Sequence, residues 1–303
     1  MVRSRTLTIW LAALAGAVLA QASDNNSGVP TRVVVTVEGQ KGAQPPEVTR
    51  NDVMASLDNQ RMTVTDWTPI LSQGAGLQLW LLIDDGTDTN LGTQFNDLHK
   101  FVESQSPLTQ IGVGYIRNGS VQAVQPLTTD HAAAAKAIRL PVGQPGISAS
   151  PYVTLSELIK KWPRGEQARE VVMITSGIDP DFGPGAVNPY LDKAIEDAQR
   201  AGVVVHAIYY ASAGHLGHSQ WQIYWGQNYL SKLTEETGGE FFWIGDANPV
   251  SLAPYFNELN EHFRNQHLLT FIATGKTGLR RLKLTTEVPH ASLEGPMNVY
   301  VAK

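Results

Sequence analysis

The run Leu79-Trp80-Leu81-Leu82-Ile83-Asp84-Asp85-Gly86-Thr87-Asp88-Thr89 sets three carboxylates, two hydroxyls and a glycine directly behind an apolar stretch. The apolar part has the length of a buried strand. In open α/β sheets, ligands bind in the crevice beyond the carboxyl ends of the strands. Oxygen-only side chains gathered there suit a hard cation such as Mg²⁺. Two further segments offer chemistry in comparable places. Glu170-Val171-Val172-Met173-Ile174-Thr175 ends in Ser176-Gly177, with Asp179 three residues on. His215-Leu216-Gly217-His218 puts two imidazoles just beyond the apolar run Val203 to Tyr210.

The elements that must position these groups follow from patterning. Residues 78–83, 170–175 and 203–210 read as buried strands, and 110–116, 120–125 and 240–244 as further ones. Helices are predicted over 91–104, 130–139, 152–162, 189–201, 221–237 and 251–265, the first with Leu91, Phe95, Leu98, Phe101 and Val102 on one face. This alternation predicts an α/β fold with a doubly wound, mostly parallel sheet. Before it, 32–38 and a hairpin across Asp58-Asn59 form a β element over 32–74. After it, 267–274, 280–288 and 298–301 read as antiparallel strands. The two flanks are expected to pair with each other, giving an α/β domain over 75–266 and a C-terminal β extension over 267–303.

Met1 to Ala22 has a basic start at Arg3 and Arg5, an apolar stretch from Leu7 to Leu19 and a small-x-small end. That is the pattern of a secretory signal peptide, with an uncleaved anchor as the alternative. Residues 23–31 read as a flexible leader. Export to the periplasm or the cell exterior is therefore expected. The chain has no cysteine, which excludes disulfides and a lipid-attached cysteine. Its net charge of -5 becomes -7 when Arg3 and Arg5 leave with the signal, and there is no basic block. Nucleic acid is not an expected partner.

With these residues in view, the chain resembles the von Willebrand factor type A (VWA) domain, and most closely the secreted bacterial VWFA-related family first defined in acidobacteria. The resemblance rests on the strand ending Asp84-Asp85, the Leu91-Gly92-Thr93-Gln94 helix opening and the strand ending Ile174-Thr175-Ser176-Gly177. The flanking Val48-Thr49-Arg50-Asn51-Asp52-Val53 and Arg280-Arg281-Leu282-Lys283-Leu284 segments add to it. It spans roughly residues 30 to 303. The family's metal-ion-dependent adhesion site uses Asp-x-Ser-x-Ser, a threonine from a second loop and the aspartate of Thr-Asp-Gly. Here Asp84 keeps the first position, Gly86 replaces a serine and Asp88 replaces the next. Ser150, with Ser148 as the alternative, stands for the second loop, and Ser176 replaces the third-loop aspartate, with Asp179 nearby. The resemblance implies a degenerate site for Mg²⁺, or Mn²⁺ or Ca²⁺, on Asp84, Asp88, Ser150 and Asp179. The competing reading is that Asp84 caps its own loop without metal.

Other chemistries fare worse. Aligning Gly86-Thr87 with the haloacid-dehalogenase motif puts Ile83 where the nucleophilic aspartate must be, and Ile83 has no nucleophilic atom. Receiver domains share the acidic pair, but export and the β flanks oppose that reading. The His215/His218 pair lacks the H-E-x-x-H glutamate. No G-x-S-x-G elbow surrounds Ser176, so a set with His215 and Asp179 has little behind it. His206 reads as a hydrogen-bonded core histidine. Trp221, Tyr224 and Trp225 read as a core face of their helix, or as an aromatic anchor for a partner. The function expected is a non-enzymatic, exported protein-binding or adhesion module. Its unidentified protein ligand would meet Thr87, Ser176, His215 and His218. A metal-assisted hydrolase and a structural envelope protein with a vestigial site are the alternatives.

Overall fold

The computed structural model describes residues 28–72, 75–143, 150–211, 219–243 and 249–303. The chain opens with β1 (Val29–Gly39), a β-branched strand that starts inside the segment expected to be a flexible leader. β2 (Val53–Leu57) and β3 (Gln60–Pro69) follow. They are joined across Asp58 and Asn59, whose φ of 48° and 68° is what a tight hairpin turn with right-handed twist requires. Then come β4 (Leu77–Asp84), α1 (Phe95–Glu103), β5 (Thr109–Arg117), β6 (Ser120–Thr128), α2 (His131–Lys136), α3 (Pro151–Lys161) and β7 (Ala168–Thr175). The rest is α4 (Pro189–Ala201), β8 (Val203–Tyr209), α5 (Gln220–Thr237), β9 (Phe241–Phe242), α6 (Ala253–Arg264), β10 (Gln266–Ala273), β11 (Gly278–Thr286), β12 (Ala291–Glu294) and β13 (Asn298–Val301).

One sheet has six strands in the order β6-β5-β4-β7-β8-β9. It is parallel throughout except for the β5–β6 hairpin, turned at Asn118-Gly119. Alternate residues of the central strands face opposite ways. Leu79, Leu81 and Ile83 of β4 pack with α1, α2 and α6, through Leu98, Ala134 and Phe256 among others. Trp80 and Leu82 pack with α3, α4 and α5, through Leu155, Ile195 and Leu230 among others. The fold is therefore α/β and doubly wound. The chain leaves β4 toward β5 on one side and later adds β7 on the other, so the order reverses between β4 and β7. That reversal opens a crevice at their carboxyl ends.

The second sheet is antiparallel, with seven strands ordered β12-β1-β10-β3-β2-β11-β13. The N- and C-terminal flanks interleave within it: β1 lies between β10 and β12, and β2 between β3 and β11. Neither flank could bury an apolar face alone. Together they enclose Val33, Val35, Val37, Leu57, Leu269, Phe271 and Val301.

Boundaries differ from expectation in three places. The helix expected from 91 begins as a 3-10 turn, Thr89–Gln94, capped by Asp88. β9 has two residues, and β12 joins the edge of the second sheet. Glu170, at the head of an otherwise apolar strand, is fully buried and accepts a hydrogen bond from His206 Nε2 at 2.6 Å. His206 Nδ1 accepts from the Glu240 backbone N–H at 2.9 Å, which assigns the ring proton to Nε2. His206 is thus the hydrogen-bonded core histidine that its apolar strand implies. Among the described residues, no helix is long and apolar enough to cross a membrane.

Candidate functional site

A hydrogen bond spans the crevice between β4 and β7. Thr175 Oγ1, at the end of β7, donates to Asp84 Oδ2 at 2.8 Å. Asp84 Oδ1 accepts the Gly86 backbone N–H at 2.9 Å, and Thr87 Oγ1 donates to the Asp84 carbonyl at 2.7 Å. The strand end thereby turns sharply into the 3-10 segment, and Thr87 is left 1% exposed. Asp88 then caps that segment, accepting the Asn90 backbone N–H at 2.7 Å. Tyr210, just past β8, has its hydroxyl pushed up to about 12 by burial first and by the nearby Asp88 charge second.

A second polar group forms where two helices begin. Ser150 is the N-cap of α3, and Asn188 is the N-cap of α4, each followed by proline at the first helical position. Both point a second polar bond at the same carboxylate. Ser150 Oγ donates to Asp179 Oδ2 at 3.0 Å, and Asn188 Nδ2 donates to that oxygen at 2.9 Å. Asp179 Oδ1 accepts the Asp181 backbone N–H at 3.1 Å. The loop after β7 is pinned beneath by Gly177, whose φ of 67° carries the chain under α5. There the approach is so close that a Cβ on Gly226 would lie 2.5 Å from the Ser176 carbonyl.

The sequence-expected residues therefore fall into two groups. Ser150 and Asp179 are brought together, while Asp84 bonds to Thr175 and Asp88 to its own turn. Ser176 is 5% exposed, and Thr87 is likewise turned into the protein. His215 and His218 lie outside the described residues, as does Ser148.

This donor set does not fit a divalent ion as it stands. Both lone pairs of Asp179 Oδ2 are taken by Ser150 and Asn188. Gly86 offers no side-chain oxygen, and Mg²⁺ needs near-octahedral coordination. Among the described residues, the one group of three carboxylate or imidazole ligand atoms within 4.8 Å of one another lies elsewhere in the molecule.

Three functional partners escaped the sequence reading. Thr175 ends a strand in register with Asp84, and its hydroxyl was overlooked beside Ser176. Asn188-Pro189 is a legible helix-start pair that could have been found. Arg139 binds Asp85, a fully buried carboxylate, through both oxygens at 2.7 and 3.0 Å. Asp85 also accepts the Val142 backbone N–H at 3.1 Å, so it anchors the loop after α2 and is no part of the open crevice.

Exposed aromatics form two pairs near the starts of α4 and α5, Phe182 with Tyr190 and Trp221 with Tyr224. Trp221 and Tyr224 are 56% and 53% exposed, and Phe182 and Tyr190 are 48% and 39% exposed. The helix face expected as core is thus split, with Trp225 half-buried and Tyr229 fully inside. Tyr229 packs at a tilt against Trp225 and binds Gly185 through its hydroxyl, donating to the carbonyl at 2.6 Å and accepting from the N–H at 2.9 Å. That clamp ties the loop bearing Phe182 to the helix bearing Trp221.

No family model matches the chain, and no curated protein matches it. Among solved structures, it is similar to the conserved hypothetical protein BatB from Bacteroides thetaiotaomicron, at 11% identity and a TM-score of 0.47, over 62% of this chain and 97% of that one. It is similar to the SpRpn10 VWA domain at 16% identity and a TM-score of 0.41, over 61% and 95%. The vWF domain of the type V pili tip protein Mfa5 from Porphyromonas gingivalis is similar at 10% identity and a TM-score of 0.41, over 62% and 95%. Two of these three carry a VWA or vWF domain by name.

Proposed function

We propose that this chain is an exported protein-binding module of the VWFA-related kind, which grips a protein partner at the carboxyl edge of its parallel sheet. The observation that carries the reading is the set of exposed aromatics. Phe182, Tyr190, Trp221 and Tyr224 are large, exposed and clamped to a rigid base through Trp225 and Tyr229. Large aromatics on a pre-ordered base are what anchors a protein interface, because they bury much area while losing little side-chain freedom. The signal-like Met1–Ala22 segment and the VWA resemblance of the strand ends support the same reading.

The polar crevice orders the edge. Asp84–Thr175 and Asp179–Ser150–Asn188 fix three loop ends relative to one another, so the edge is set before the partner arrives. In this reading the ancestral cation is replaced by internal hydrogen bonds, and recognition runs without it.

The test is capture of partners from an envelope extract by immobilised residues 23–303. Trp221→Ala with Tyr224→Ala is expected to abolish capture while leaving the unfolding midpoint unchanged. Glu166→Ala, on the exposed opposite edge of the sheet, is expected to leave capture intact. Capture that survives loss of both aromatics would sink the proposal. Repeating the experiment in EDTA and in millimolar Mg²⁺ tests the cation: a midpoint that rises with Mg²⁺, and no longer does so in Asp84→Ala, would restore a working adhesion site.

A further inference from the structure

Away from that edge, β1, β12 and α6 enclose an open cavity of about 1050 Å³ that also takes in Glu240, just before β9. Its wall is strongly acidic: Glu38, Glu240, Glu258, Glu261 and Glu294 line it. Among the described side chains, no lysine or arginine pairs with Glu38, Glu240, Glu258 or Glu294, and Arg264 reaches Glu261 at 4.0 Å. Thr36, Val37 and His262 are the buried, non-acidic part of the wall. His262, in the last turn of α6, is 7% exposed.

The two nitrogens of His262 have different surroundings. Nε2 is 2.9 Å from the buried Thr36 hydroxyl. Nδ1 faces Glu240 Oε1 at 3.5 Å. That separation is long for a charge-assisted hydrogen bond, which closes to about 2.7–2.9 Å. It is close to the ligand-to-ligand edge of tetrahedral zinc, about 3.3 Å for bonds of roughly 2.0 Å. Glu38 completes the group, with the three ligand atoms all within 4.8 Å of one another. Metal-binding histidines have the far nitrogen held by a hydrogen bond that fixes which nitrogen faces the ion, and the Thr36 hydroxyl takes that place here.

We propose that Glu38, Glu240 and His262 Nδ1 form a site for a divalent transition ion of the Zn²⁺ class. Mixed imidazole and carboxylate ligands favour such ions over Mg²⁺ and Ca²⁺, which take oxygen alone. Three protein ligands leave a fourth position open, and here it faces the cavity. The ligands come from three separate elements. Glu38 lies on the antiparallel sheet, paired with Ser292 of β12, whereas Glu240 and His262 belong to the parallel-sheet domain. An ion here staples the two sheets together and cancels part of the charge that the carboxylates crowd into one wall. This site is independent of the partner-binding edge.

The experiment is calorimetric titration of untagged residues 23–303 with Zn²⁺, followed by metal analysis of the dialysed protein. One Zn²⁺ per chain is expected, at micromolar affinity or tighter. Glu240→Gln and Glu38→Gln are each expected to weaken binding at least tenfold, with unchanged far-ultraviolet circular dichroism of the metal-free protein. Both are isosteric and line an open cavity, so they keep the test clear of the buried His262. Asp84→Ala and the double change His215→Ala with His218→Ala are expected to leave affinity unchanged. Co²⁺ in place of zinc is expected to show tetrahedral visible absorption that Glu240→Gln removes. A wild-type chain that binds no Zn²⁺, or binding lost with His215 and His218 and kept in the glutamate variants, overturns the proposal.

Discussion

Replacing Arg139 with methionine tests whether the acidic run after β4 is divided between support and site as described. Asp85 is fully buried, and Arg139 binds both its oxygens, while Arg117 stands off at 3.9 Å. Methionine keeps much of the aliphatic stem, though not the guanidinium that sits 3.7 Å from the centre of the Tyr115 ring. What it removes is the charge, with the ring contact and a hydrogen bond to the Leu140 carbonyl. Breaking a buried pair from one side costs about 3–5 kcal/mol, because the remaining ion stays desolvated. Arg139 is itself 36% exposed, so water and Arg117 can partly take its place, and the lower end applies. The expected loss is about 3 kcal/mol, or a fall in midpoint of roughly 6–12 °C for a domain of this size. Adding Asp85→Asn removes the stranded charge, so the double variant is expected to recover about 1–2 kcal/mol of that loss. The assay is urea unfolding of residues 23–303 for the wild type, both single variants and the double variant, read by linear extrapolation. A loss under about 1 kcal/mol for Arg139→Met, as for an exposed pair, would refute the reasoning. Simple additivity in the double variant would refute it equally.

Three further outcomes follow from the same geometry. Ser150→Ala removes both the cap of α3 and a donor to Asp179, and is expected to cost about 1–2 kcal/mol in urea unfolding. Gly226→Ala drives a methyl to 2.5 Å from the Ser176 carbonyl and 3.0 Å from Ile178, so thermal unfolding is expected to report about 1–3 kcal/mol of overpacking. A neutral result there would mean that α5 is not held against the loop after β7. His267 lies stacked on Trp67 with ring centroids 4.4 Å apart, and burial lowers its pKa more than the Asn265 carbonyl raises it. Below about pH 6.5 the unfolded chain then binds more protons than the folded one, so stability falls as the pH drops and levels off above that value. Buried His262 acts with the same sign. His267→Phe is expected to flatten part of that slope when urea midpoints are compared from about pH 5 to 8, and an unchanged slope would show that His267 does not contribute.

Much of the architecture is local and was therefore legible. The apolar runs of β4, β7 and β8 name buried parallel strands because parallel strands are covered on both faces and need no polar alternation. Asp58-Asn59 and Asn118-Gly119 name hairpins because few residues tolerate positive φ there. Gly202 and Gly238 end α4 and α5 in the left-handed conformation that favours glycine. Each is a property of neighbouring residues, and tertiary packing had only to agree. The same holds for the acidic and hydroxyl residues at the end of β4, whose place at a sheet edge follows from the strand that precedes them.

What each of those residues does was decided by contacts between distant parts of the chain. Asp84 and Asp85 are adjacent and chemically identical, yet Asp84 ends β4 and meets Thr175 across the reversal, while Asp85 turns into the protein and meets Arg139. The α5 aromatics carry a core-like spacing, and what exposes Trp221 and Tyr224 is that α5 meets the sheet through Leu230 and Leu233 further along. Glu38, Glu240 and His262 share no motif, because a strand of one sheet and the elements of another bring them together. Sequence periodicity specifies which face of an element is apolar. The pairing of faces, and with it the company that each polar group keeps, is set by the shared burial that joins two flanks into one seven-stranded sheet.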